Sequence, residues 1–266
     1  MRRCRPLLGT FVEVDCDRPE AIGPAFAEIE RVHRLMSAHE RDSELSRINR
    51  LAHREPVAVS DETREVVERA LRWSSTSGGL FDVVTAGARS LERGKIPRHS
   101  DQPEPEGRDS SVVWLSGNLL RLAAPACLDL GGIAKGYAVD RAAAAMREAG
   151  GINGLVNAGG DLIAFGPAPR TVEVVDPLTS RPAVDVELSN EALATSALVD
   201  GSAAHLPPAY QWTSVTVRAP NACDADALTK IIWAGGADLL AQAGASAFGF
   251  RLDGNVEEIG SETIAA

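Results

Sequence analysis

The chain has 266 residues, 44% apolar and 24% charged, enough for one large domain with a substantial core. Its 37 acidic residues outnumber 27 basic ones, and the net charge of −10 excludes a general nucleic-acid binder, whose surface must be basic to meet phosphates. Cys4, Cys16, Cys127 and Cys223 are scattered without a CxxC pair, which excludes a zinc ribbon and a disulfide framework.

The first residues, MRRCRPLLGTFVEV, are basic, but their apolar stretch is broken by Gly9 and Glu13 and does not form a signal-peptide core. No later run reaches membrane-spanning length. The expectation is a soluble chain that does not span a membrane, cytoplasmic as the sequence stands and periplasmic if its start is misassigned. Residues 10–16 alternate like a strand, and residues 20–36 follow a helical period with Ala25, Ile29, Val32 and Met36 on one face. Ser60 reads as an N-cap, with Asp61 and Glu62 at the positive end of a helix that buries Val66, Val67, Ala70 and Leu71.

Residues 93–111 are rich in proline, glycine and charge and read as a loop leading into a hairpin, VVWL-SGN-LLRL. Next comes LDLGGIAKGYAVD (128–140), which reads as a short apolar strand, a Gly-Gly turn, Lys135 and a helix over 134–149 stopped by Gly150 and Gly151. Such a junction brings backbone N–H groups and a fixed cation to one point, as a phosphorylated ligand requires; the alternative is a plain turn with a solvated lysine. From residue 154 the pattern is mostly strands: LVNAGG, DLIAFG, TVEVVD, VDVEL and SVTVRA. A helical region over 225–243 is interrupted at Gly235 and Gly236, and FGFRL closes as a strand. With no repeat and no compositional break, residues 1–266 form a single domain of the α+β class, with mixed, largely antiparallel sheets and packed helices.

Seven islands, four of them marked by glycine, carry the chemistry: PLLGTFVEV (6–14), MSAHERDSELSRIN (36–49), GGLFDVVTAG (78–87), LDLGGIAKGYAVD (128–140), LVNAGGDL (155–162), LATSA (193–197) and DADALTK (224–230). Taken in this order they resemble the ApbE-like family of FAD:protein FMN transferases over nearly the whole chain. The resemblance implies that FAD is the substrate, that Mg²⁺ is the cofactor, and that FMN moves to a threonine hydroxyl of an acceptor flavoprotein with release of AMP. It places that acceptor in a membrane redox complex.

The resemblance also assigns residues. Asp226 matches the metal-binding aspartate, whose unaided reading is a helix-dipole partner, with Asp224 as the neighbouring carboxylate. The family's hydroxyl residue four positions later is Lys230 here, with Thr229 one position earlier and near the same helix face. Gly132 stands at the second metal position and offers its carbonyl, an acceptable ligand for a hard cation. Asp129, Lys135, Phe81 and Asp82 match FAD-contacting positions, and Lys135 would hold a phosphate or adenosine-side oxygen. Asp82 has two uses open, a turn cap or an acceptor for an adenine amino or ribose group. Leu8 stands where the family often has methionine and His39 where it often has an aromatic ring, each a FAD contact or ordinary packing. Asn157 fits the NxGGD pattern with Gly159, Gly160 and Asp161, a ligand turn or a structural one. The proton acceptor falls to His205, in a segment without the family's DPxTG continuation; DPLTS occurs at 176–180, ahead of LATSA. His205 is the general base or a loop histidine.

Overall fold

A computed structural model of the chain describes residues 1–198 and 212–260. Strand β1 (Arg2–Leu7) turns through Leu8 and Gly9 into β2 (Thr10–Cys16). The turn residues have φ of +55° and +71°, the left-handed pair of a two-residue hairpin. In β2 the alternation works as the sequence predicts, with Val12, Val14 and Cys16 fully buried. By contrast β1 is exposed along almost its whole length and carries Arg2, Arg3 and Arg5, so it has no apolar period to reveal it. Its charge blunts a sheet edge.

Helix α1 (Ile22–Met36) follows a 3-10 turn over Pro19–Ala21, and its predicted apolar face is buried. A short α2 (Glu44–Leu51) and strand β3 (Val57–Ala58) lead to α3 (Asp61–Thr76). The Ser60 hydroxyl caps α3 by accepting the Thr63 N–H at 3.2 Å. Then come α4 (Val83–Glu92) and the hairpin β4 (Val113–Ser116) and β5 (Leu119–Leu122), which forms a three-stranded sheet with β3. Helix α5 (Ala134–Glu148) ends at Gly150, whose φ is +84°.

Strands β6 (Gly154–Ala158), β7 (Asp161–Phe165), β8 (Arg170–Val175), β9 (Pro182–Leu188), β10 (Glu191–Ala197) and β11 (Ser214–Ala219) come next; β8 and β9 pair as a separate two-stranded sheet, and the others join the main sheet. Helix α6 (Ala222–Trp233), the one-turn α7 (Leu239–Gln242), β12 (Ser246–Phe250) and β13 (Val256–Ile259) follow. The order of the eight-stranded sheet is β1-β2-β6-β7-β10-β11-β12-β13, and each of its ladders is antiparallel. The expected α+β class, with largely antiparallel sheets, is thus what the chain adopts.

Helices α5 and α6 pack on one face of this sheet, and α1 packs on α5. Leu162, Ala164, Leu193 and Phe250 point to the opposite face, where Val174 of β8 and Leu188 of β9 complete a smaller core. Strand β7 is therefore buried on both faces.

Three expectations are corrected. Residues 128–130 are not a strand, although Leu128 and Leu130 are fully buried. Their backbone is paired with a side chain instead: Leu128 N–H donates to Asn49 Oδ1 at 2.8 Å, and Asn49 Nδ2 donates to the Leu128 carbonyl at 3.0 Å. The last long helix begins at Ala222 rather than 225, because Asn221 caps it by accepting the Asp224 N–H at 2.8 Å. FGFRL is not the closing strand, since β13 pairs beyond it as the far edge.

Candidate active site

The site forms where the first turn of α5 crosses α6. The two backbones touch there: a Cβ added at Gly136 would lie 2.1 Å from the Ala222 carbonyl oxygen. This contact lets the Gly136 N–H, one of the free donors at the start of α5, reach Asp226 Oδ2 at 3.2 Å. Asp226 is fully buried, and an unpartnered carboxylate there would be costly. Lys230, one turn along α6, supplies the counter-charge. Its ammonium is bonded to Asp226 Oδ1 and donates to the Asp226 main-chain oxygen at 3.0 Å. Thr229 donates to the same main-chain oxygen at 2.8 Å, and its hydroxyl lies 2.7 Å from that of Ser196 on β10.

A second ion pair flanks the first. Lys135 Nζ lies 2.7 Å from Asp161 Oδ2, and Asp161, at the start of β7, is only 1% exposed. Burial works to lower the Lys135 pKa, but Asp161 and Asp226 together overcome it and hold the ammonium above its ordinary value. Two buried carboxylates and two half-exposed ammonium groups thus meet at one wall, with their formal charges balanced.

Cavities open on both sides of the Gly131–Gly132 turn. One, of about 230 Å³, is lined by Leu8, Met36, His39, Asp129 and Lys135. The other, of about 480 Å³, is lined by Phe81, Asp82, Arg89, Asp129, Gly132 and Lys230. Asp129 belongs to both, and its carboxylate is fixed by the Gly131 N–H at 2.8 Å and the Ser90 hydroxyl at 2.7 Å. Leu8, at the hairpin tip, is held at a φ unusual for a branched residue, a conformation of the kind found at ligand sites.

The structure thus gathers Leu8, His39, Phe81, Asp82, Asp129, Gly132, Lys135 and Lys230 around the two cavities, with Asp226 and Thr229 buried behind them. Asn157 plays a turn role: its side chain accepts the Gly160 N–H at 3.0 Å between β6 and β7. Of the two uses open to it, Asp82 serves as the cap, at the start of α4. Its Oδ1 accepts Val84 N–H and Thr85 N–H at 2.9 Å each, and its Oδ2 accepts the Ser74 hydroxyl at 2.9 Å and Ser110 N–H at 2.8 Å. These four bonds use the acceptor capacity of a carboxylate. Burial would raise its pKa, and these donors outweigh that to hold it below the usual range. His205 lies outside the described residues.

Sequence reasoning placed Asp161 only within the NxGGD turn and gave Ser196 no role of its own. Asp161 was visible as an acid at the start of a buried strand, but its partner Lys135 is distant in sequence. Ser196 lay within the LATSA island, and only the packing of β10 against α6 joins its hydroxyl to Thr229.

Comparison with known proteins bears on the same architecture. A FAD:protein FMN transferase of Haemophilus influenzae is 26% identical over 248 residues, spanning 80% of this chain and 71% of that protein. One of Vibrio cholerae is 30% identical over 184 residues, spanning 63% of this chain and 55% of that protein. Among solved structures, the ApbE protein of Thermotoga maritima superposes with a TM-score of 0.82 at 24% identity, covering 97% of this chain and 96% of that one. The flavin transferase ApbE of Vibrio cholerae gives 0.78 at 24% identity, with the same coverage. These likenesses establish the fold. The model of the ApbE family matches residues 8–249, nearly the whole length, and the chain belongs to the ApbE family.

Proposed function

We propose that this protein is a FAD:protein FMN transferase that moves the FMN part of FAD onto a threonine hydroxyl of an acceptor flavoprotein, with AMP as the other product. The observation that carries this reading is the pair of cavities meeting at Asp129 and Gly131–Gly132, with Lys135 lining one and Lys230 the other. A dinucleotide has two ring systems joined by a diphosphate, and two adjoining cavities, each with an ammonium group in its lining, suit that layout.

In the proposed step the acceptor oxygen attacks the FMN-side phosphorus. A threonine O–P bond forms, the bridging P–O bond breaks, and AMP leaves with the bridging oxygen. The hydroxyl proton passes to a general base, a role proposed for His205. Lys135 stabilises charge building on the phosphoryl oxygens, while Asp161 fixes its position. The net charge of −10 supports a protein acceptor over nucleic acid, and a membrane redox complex is the proposed source of that acceptor.

The resemblance also implies Mg²⁺, and the donors around Asp226 are the hard oxygens that this ion prefers. The arrangement does not fit a resident divalent ion, however. The Lys230 ammonium holds one Asp226 carboxylate oxygen, Gly136 N–H holds the other, and the Thr229 hydroxyl is engaged by Asp226 and Ser196. The metal roles proposed from the sequence for Asp226, Thr229 and Lys230 therefore give way here to a lysine–carboxylate pair, and Gly132, the fourth residue of that set, lines the larger cavity beside it.

The same covering of Asp226 favours a second reading, a FAD carrier without transfer. Incubation with FAD and a candidate acceptor separates the two. Covalent flavin fluorescence in a denaturing gel, with AMP, supports transfer. AMP alone indicates a FAD pyrophosphatase, and tight FAD with neither product indicates a carrier.

A further inference from the structure

We propose that the Lys230 ammonium is the resident cation of this site, so that the chain holds the diphosphate of its ligand without a bound divalent metal. The proposal rests on the FAD reading above and adds to it the means of charge neutralisation.

Position comes first. Lys230 follows Asp226 by one helical turn, the spacing and order at which an acid and a lysine meet on a helix. Its nitrogen touches a carboxylate oxygen and a main-chain oxygen of Asp226, the kinds of oxygen that a hard cation collects. A small hydrated ion at that carboxylate would have to displace the ammonium, whose removal would leave a lysine unpaired against the wall.

Access comes second. Asp226 is completely buried, whereas Lys230 keeps about a third of its side chain exposed (34%) and lines the larger cavity. Its stem runs beside Gly132, where an added methyl group would lie 3.6 Å from Lys230 Cε and 3.3 Å from the Phe81 ring. An ammonium has three donors, and two are engaged by Asp226, leaving the third for a ligand in the cavity.

Charge comes third. Lys135 and Lys230 already pair with Asp161 and Asp226, and each lysine lines one of the two cavities that adjoin at Gly131–Gly132. A divalent ion added beside them would increase local positive charge, and the further carboxylate lining both cavities, Asp129, is already held by the Gly131 N–H and the Ser90 hydroxyl.

Titration of the purified chain with Mn²⁺, followed by electron paramagnetic resonance, tests the proposal alongside FAD binding in chelator and in Mg²⁺. The native chain is expected to leave the free Mn²⁺ signal unchanged and to bind FAD with affinities within about twofold in the two conditions. Lys230→Thr, which restores a hydroxyl at that helical position, is expected to take up Mn²⁺ and to make FAD affinity depend on metal by about tenfold or more. Stoichiometric Mn²⁺ uptake by the native chain, or a tenfold loss of its FAD affinity in chelator, overturns the proposal. Should Lys230→Thr fail to fold, the native titration decides alone. Absence of FAD binding in both conditions would count against the transferase reading, while the Mn²⁺ signal would still judge the cation.

Discussion

Asp226 has no solvent contact, and its carboxylate joins the start of α5 to Lys230. Asp226→Ala removes both links, leaving the Lys230 ammonium against the wall without its counter-charge. Because Lys230 is partly exposed, the loss is discounted to about 1–3 kcal/mol of stability. FAD affinity is expected to fall and transfer to disappear while the fold persists, as checked by melting and flavin titration; full activity in this variant would remove Asp226 from the site. The one-turn spacing puts Asp226 and Lys230 within reach of each other, yet the family resemblance assigns both to a metal shell rather than to an ion pair. The role of Asp82 was not legible either, because a cap and a ligand acceptor call for the same residue beside a helix start. Only the positions of Ser74 and Ser110, far apart along the chain, show that its oxygens are fully engaged.

Helices α5 and α6 hold the site through their closest approach, at Gly136. Any side chain there meets the Ala222 backbone, which cannot rotate away as a flexible side chain would. Gly136→Ala is expected to push the helices apart, destabilise the protein by about 2–3 kcal/mol and weaken FAD binding by breaking the Gly136–Asp226 hydrogen bond. Thermal melting with a flavin titration checks this, and an unchanged melting temperature would mean that the crossing is looser than described. Helix α5 could be read from sequence because Gly150 and Gly151 end it sharply. The buried stretch 128–130 was misread as a strand since burial alone leaves backbone pairing undecided, and its partner Asn49 shows no periodic signal. Strand β1 escaped notice for the opposite reason, being an exposed edge without alternation.

Across the whole molecule, the α+β class and the order of most elements were legible from periodicity, while strand order followed from contacts that join distant segments. One such contact sets a response to pH. Asp140 on α5 accepts the N–H groups of Ala222 at 2.8 Å and Cys223 at 2.9 Å, yet burial raises its pKa from 3.8 to about 6 despite these donors. The unfolded chain therefore ionises this group first as pH rises. Its contribution favours the fold at low pH, falls between about pH 4 and pH 6, and is constant above. Relative to Asp140→Asn, the native chain should lose about 3 kcal/mol over that interval, measured by denaturant melts at its two ends. A constant difference between the two proteins would contradict the burial of this carboxyl.

Transfer to an acceptor is read most directly from the intact mass of a candidate acceptor flavoprotein after incubation with this protein and FAD. The expected gain equals FMN less one water, localised to a threonine and absent when that threonine is replaced by alanine. An acceptor of unchanged mass, while an established transferase modifies it under the same conditions, would contradict the assignment.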